Sequence, residues 1–238
     1  MNKIVTEIVS RGAESFGIVL PPGAVAAFEK YYALLEEKGK RVNLTAITGA
    51  EDVARLHFLD SLALLRTADF KNARVIDVGS GAGFPGIPLK IAEPSIELTL
   101  LDATGKRIAF LSELCAELGV EATCVHARAE ETARTPEMRE RYDIVVSRGV
   151  ARLNVLCELC LPFVRAGGVF PAMKGVDSAE ELEEARGAIQ TLGAELERAL
   201  DYTIPETDMT HRVILIRKKS ETPSEYPRRF PKIQKSPL

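Results

Sequence analysis

The chain has 238 residues, of which 46% are hydrophobic and 27% charged; that is enough for one sizeable α/β domain with an appendage. It lacks an apolar run of about 18 residues for a membrane helix and opens with Glu7 too early for a secretory leader, so a cytoplasmic protein with no membrane and no metal partner is expected. The net charge of −3 carries no global nucleic-acid signature.

Residues 1–73 read as helices. Val25, Phe28, Tyr31, Tyr32, Leu34 and Leu35 fall at helical spacing, with Gly39 as the expected stop. Thr48-Gly-Ala-Glu51 has the form of a capping box before a second apolar helix through Leu65. From residue 74, strand and helix alternate: strands at about 74–78, 96–101, 122–125, 142–147 and 169–173, helices at 104–118, 153–164 and 178–192. Gly167-Gly168 is expected to end the second of these helices, and Ser178-Ala-Glu-Glu181 to cap the third. Two further strands, 196–204 and 212–217, follow with no helix between them. This predicts a doubly wound, mostly parallel seven-stranded sheet with an antiparallel edge hairpin and an N-terminal helical extension. The division is 1–73 helical extension, 74–219 catalytic domain and 220–238 basic tail. Residues 217–238 hold seven basic and two acidic residues; this end of the chain fits either an extended phosphate-seeking arm or a segment that packs back on the sheet.

The sharpest signal is Val75-Ile-Asp77-Val-Gly79-Ser-Gly81-Ala-Gly83-Phe84-Pro-Gly86, an apolar strand running into a glycine turn that opens a helix. Leu98-Thr-Leu-Leu-Asp102 follows, with a carboxylate placed to accept from both hydroxyls of a ribose. The glycines also satisfy G-x-G-x-x-G, so a nicotinamide dinucleotide is the competing cofactor. Asp77, two residues before the first glycine, is unwelcome beside a pyrophosphate and suits a ligand carrying an amino group, such as S-adenosylmethionine. Cys157-Glu-Leu-Cys160 lacks a second ligand pair, so burial of all four cysteines is expected instead of zinc.

At this level of detail the run Val75–Pro88 resembles motif I of class I (Rossmann-like) methyltransferases. Together with Asn43-Leu-Thr45, His57-Phe-Leu-Asp-Ser61, Asp102-Ala-Thr104, Arg128-Ala-Glu130, Ser147-Arg148, Met173-Lys-Gly175 and Tyr226-Pro-Arg-Arg229, it resembles the glucose-inhibited division protein B family. The resemblance implies an S-adenosylmethionine-dependent enzyme that methylates guanine N7 in the decoding region of 16S ribosomal RNA, with free RNA or the small ribosomal subunit as partner. It further implies cofactor contacts at Gly79, Phe84, Asp102, Ala103, Thr104, Ala129, Glu130 and Arg148, joined to the loop residues Asp77 and Gly81. Departures from the pattern are Gly149 after the Ser-Arg pair, His211 where an arginine is usual, and Phe230-Pro231 after Arg229.

Guanine N7 has a lone pair and no proton to lose, so no catalytic base is assigned. Candidate substrate contacts are Asn43 (base edge, or an Asx turn), His57 (base contact, or a hydrogen-bonded core residue), Arg128 (phosphate or base stacking), Lys174 (phosphate, or solvation) and Arg228 with Arg229 in the tail. A nicotinamide-dependent oxidoreductase and an inactive RNA-binding protein of methyltransferase fold remain the alternatives.

Overall fold

The computed structural model describes residues 3–42 and 44–238, with side chains of 40–43 excluded. Seven strands form one sheet: β1 Arg74–Val78, β2 Glu97–Asp102, β3 Ala122–His126, β4 Tyr142–Val146, β5 Val164–Gly175, β6 Ala194–Thr203 and β7 Thr210–Lys218. Their order is β3-β2-β1-β4-β5-β7-β6, with β1–β5 parallel and β7 antiparallel to both neighbours. The order reverses direction between β1 and β4, and ligands of open α/β sheets bind at the carboxyl ends of the strands there.

Alternate residues of each central strand serve opposite cores. Val75, Leu98, Leu100, Ile144 and Val146 face one apolar cluster; Ile76, Leu101 and Val145 face the other. The first cluster is covered by α1 (Lys3–Ser15), α2 (Ala24–Val42), α3 (50–66), α4 (Gly86–Ala92) and α5 (Gly105–Leu118); Phe28, Tyr31 and Phe58 are fully buried in it. The N-terminal helices thus complete one face of the sheet. The second cluster lies under α6 (Leu153–Cys160), α7 (Ala179–Thr191) and the terminal helix α8 (Phe230–Lys235), whose Ile233 is fully buried. No helix of the described residues is long and apolar enough to cross a membrane.

Several local expectations are corrected. The helix from Ala24 runs through Gly39 to Val42; one helix-interior glycine costs only about 1 kcal/mol, which packing outweighs. Neither capping box forms. Gly49 caps α3 without a side-chain bond while Glu51 pairs with Arg55 at 2.7 Å, and Glu181 binds Lys174 and the Leu153 N–H instead of returning to Ser178. The helix from Leu153 ends at Cys160, followed by a tight turn at Leu161–Phe163 that contains Pro162. Gly167 and Gly168 fall inside β5, where the register with β4 shifts between Tyr142 and Ile144.

The tail is docked, which corrects the extended arm. Arg139 donates to the carbonyls of Thr222 and Tyr226 at 2.7 and 2.9 Å, and Arg134 to those of Glu225 and Pro227 at 2.7 and 2.9 Å. Two arginines of the body therefore satisfy backbone acceptors that the prolines leave outside helix and sheet. Cys157 and Cys160 are fully buried in α6, and burial pushes both thiols up.

Candidate active site

A cleft of about 550 Å³ opens at the carboxyl ends of the parallel strands. Its floor is the turn after β1. Gly79 and Gly81 both lie at positive φ, +75° and +58°, but for different reasons. A Cβ on Gly79 would sit 2.7 Å from Val150 Cγ2, whereas one on Gly81 would meet only the Gly79 carbonyl at 3.9 Å. Gly79 answers both a close approach and a backbone demand, Gly81 the backbone alone.

Asp102 ends β2 with 4% of its surface exposed and lines the cleft. The Gly81 N–H donates to its Oδ2 at 2.9 Å and the Thr104 N–H to its Oδ1 at 2.8 Å. A carboxylate has about four acceptor sites, so both oxygens are fixed in direction and retain capacity for hydroxyl donors. Ala103 and Thr104 continue the wall, and Arg107, an unforeseen cation, lies 3.5 Å from Asp102 Oδ2. After β3, the short helical turn Ala129–Thr132 brings Ala129 and the buried Glu130 to the same cleft, with Arg128 exposed at its mouth.

Asp77 is the first correction at the site. It is fully buried beneath the loop and absent from the cleft wall; its Oδ2 accepts the Gly86 N–H at 2.8 Å, and its Oδ1 has no hydrogen-bond partner among the described residues. Burial raises its carboxyl to about 7. It braces the start of α4 from below, where a sequence pattern cannot distinguish an upward from an inward carboxylate.

The opposite wall is a stack. Phe84 lies between Tyr31 at 5.2 Å and His57 at 4.3 Å, both nearly parallel to it, and the Arg148 guanidinium stands 5.0 Å from its centroid. Arg148 donates to the Leu56 carbonyl at 3.0 Å, Asp60 Oδ2 at 2.9 Å and His57 Nδ1 at 2.6 Å. An arginine can only donate, so His57 Nδ1 is the acceptor and its Nε2–H donates to Thr45 Oγ1 at 2.7 Å. Burial, and then the Arg148 charge, lower this imidazole to about 3; His57 is neutral. Leu56 and His57 lie in a wide π turn, Ala54–Leu59, within α3, a distortion frequent at functional sites.

Asp60, buried, gathers the network: Tyr202 Oη and His211 Nδ1 each donate to its Oδ1 at 2.7 Å. These donors and Arg148 hold its carboxyl below the usual range against burial. The hydrogen bond to Asp60 raises the His211 imidazole above its ordinary range. Asp60, Tyr202 and Tyr31 went unassigned in the sequence; the only signal was the adjacency of Asp60 to His57 in the His57–Ser61 stretch.

Four expected substrate contacts lie away from the cleft lining or outside the described residues. Lys174 is tied to the Ala151 carbonyl at 2.8 Å and Glu181 at 2.7 Å, with 12% of its side chain exposed. Arg228 is engaged by the fully buried Glu158, Nη2 at 2.6 Å and Nε at 2.9 Å. Arg229 is exposed at the start of α8. Asn43 lies outside the described residues.

The fold is shared with solved structures of low sequence likeness. TYW2 of P. horikoshii in complex with MeSAdo matches with TM-score 0.54 and 16% identity, over 69% of this chain and 63% of that one. YcgJ of Bacillus subtilis matches with TM-score 0.51 and 16% identity, over 69% of this chain and all of that one. Sequence relatives extend over almost the whole chain. The ribosomal RNA small subunit methyltransferase G of Alkaliphilus oremlandii is 46% identical over 98% of both chains, and that of Pelotomaculum thermopropionicum 45% identical over 99% of both. The enzyme of that name from Lachnoclostridium phytofermentans is 47% identical over 96% of this chain and 95% of its own. The family described as rRNA small subunit methyltransferase G matches residues 24–209, and with these full-length relatives the chain belongs to it.

Proposed function

We propose that the chain transfers the methyl group of S-adenosylmethionine to N7 of a guanine in 16S ribosomal RNA, acting in the bacterial cytoplasm on free RNA or the small subunit. The observation that carries this reading is the cleft at the sheet's switch point, floored by Gly79 and Gly81 and walled by Asp102, in a chain of this family. S-adenosylmethionine supplies an electrophilic methyl group on a sulfonium. Asp102 would accept from the ribose hydroxyls, the Ala129–Glu130 turn would read the adenine edge, and the Gly79–Gly81 backbone would approach the ligand without side-chain collision.

N7 attacks with a lone pair, so the protein's work is alignment of the guanine with the methyl group. Neutral His57 has both ring nitrogens engaged, so it positions Arg148 and Phe84 and leaves no free nitrogen to act as a base. Arg128 and Arg229 are the exposed cations among the expected substrate contacts and suit phosphate. A nicotinamide enzyme finds no support here: the family is a methyltransferase family.

The test is transfer of tritium from methyl-labelled cofactor to small subunits or their extracted RNA lacking the modification. Chain scission by borohydride and aniline then reports 7-methylguanosine. Label that resists this scission would overturn the N7 assignment, and absence of label would overturn the reaction.

A further inference from the structure

Part of the cleft lining comes from the C-terminal segment. Phe230, the first residue of α8, lines the cleft together with Ala127, Ala129, Glu130 and Leu159. Phe230 is half-buried, so one part of its ring packs in the body while another remains available to the cleft.

Its position is built with care. α8 packs on α6, and the turn Ala129–Thr132 packs on that same helix, which presents Leu159 between them. Two residues before Phe230, both the backbone N–H and the guanidinium of Arg228 are held by the fully buried carboxylate of Glu158, at 2.7 Å for the N–H. Three residues after it, Ile233 is fully buried. Arg134 and Arg139 pin the preceding carbonyls from 222 to 227. An extended, proline-containing segment is thus fixed on both sides of one aromatic ring, and that ring is delivered to the cleft.

The chemistry of this end of the cleft follows from order along the sheet edge. Asp102 marks the ribose at the end of β2, and the Ala129–Glu130 turn after β3 lies one strand further out, where a ribose-linked purine would extend. An apolar wall of Ala127, Ala129 and Leu159 lacks a broad π face; Phe230 provides one. We propose that Phe230 is an adenine-binding residue, so that the C-terminal segment, docked through Arg228, completes the cofactor pocket. This rests on the reading of the cleft as a cofactor site.

The chain contains no tryptophan, so Phe230→Trp introduces a single indole emitter at the proposed contact. S-adenosylhomocysteine and 5′-methylthioadenosine should each change its emission on binding, and L-methionine at the same concentrations should not. Phe230→Ala should weaken S-adenosylhomocysteine binding by calorimetry about 10-fold, a loss within the range for base–aromatic stacking, with Phe230→Leu losing nearly as much despite its retained apolar volume. Circular dichroism and melting temperature of each variant report whether the tail still docks. If Phe230→Trp binds S-adenosylhomocysteine by calorimetry while its emission stays unchanged, or if Phe230→Leu binds like the native chain, the proposal is overturned and the cofactor reading stands. If the native chain itself binds neither adenosine ligand, the cofactor reading falls, and the proposal with it.

Discussion

The pH dependence of stability should reveal two buried groups working against each other. His57 is held at about 3 against an ordinary 6.5, so between these values the unfolded chain binds a proton that the folded chain refuses. Its contribution is fully present above pH 6.5 and is lost as pH falls toward 3. Asp77 is held at about 7 against an ordinary 3.8, so between these values the folded chain binds the extra proton. Its contribution is fully present below pH 3.8 and is lost as pH rises toward 7. Each group changes unfolding free energy by about 1.4 kcal/mol per pH unit, with opposite sign. In the native chain the two slopes offset over most of the weakly acidic range.

His57→Gln removes one slope and keeps a polar side chain beside Arg148 and Thr45. Its stability relative to the native chain should therefore rise by about 2–3 kcal/mol between about pH 6 and about pH 4. Asp77→Asn, which keeps an acceptor for the Gly86 N–H, should do the reverse. It should lose stability relative to the native chain by a similar amount over the same interval. Urea unfolding monitored by circular dichroism at several pH values gives the slopes. The constant cost of lost packing against Phe84 cancels in the pH difference, as do the titrations of Asp60 and His211 common to all three chains. Parallel stability curves for His57→Gln and the native chain would refute the buried neutral imidazole.

Asp102→Ala should weaken S-adenosylhomocysteine binding by about 1.5–3 kcal/mol, the scale of hydrogen bonds to a charged group, with a near-native circular dichroism spectrum; unchanged affinity by calorimetry would remove Asp102 from the ribose site. Gly79→Ala meets Val150 at 2.7 Å and a positive φ, while Gly81→Ala meets only the positive φ. Gly79→Ala should therefore lose cofactor binding more severely, and equal affinities would show that the loop does not constrain the ligand. Arg228→Ala leaves the buried carboxylate of Glu158 unpaired and should cost about 3 kcal/mol, read as a lowered melting temperature. Arg229→Ala should leave melting unchanged and reduce the salt slope of RNA binding by about 0.7; an unchanged slope would take Arg229 off the RNA.

Local patterns carried the elements that repeat. Alternating apolar strands and the glycine stops predicted all seven strands, because a buried sheet needs apolar residues on both faces and a glycine such as Gly119, at φ 65°, ends a helix through its own backbone freedom. The edge hairpin was legible from the missing crossover helix between β6 and β7. The motif residues at strand ends, Gly79, Asp102 and Ala129–Glu130, converge because parallel strands put all their carboxyl ends on one side.

The sequence by itself thus determined the strand–helix alternation, the side of the sheet on which the motif residues gather, and the resemblance that names the family. Tertiary structure decided which polar residues face the cleft and which are consumed by packing. Asp77 and Lys174 carry the same charges at strand ends as plausible ligands do, yet a buried N–H and a backbone carbonyl claim them. The Asp60–Tyr202–His211–Arg148–His57 network joins residues up to 151 positions apart, a separation that no local period encodes. The tail shows the limit most clearly. Its charge and prolines describe a solvated arm, but Glu158, 70 residues earlier, is a buried acid that among the described residues Arg228 alone neutralises. An uncompensated charge in that interior would be costly, and that long-range requirement docks the tail and carries Phe230 to the cleft.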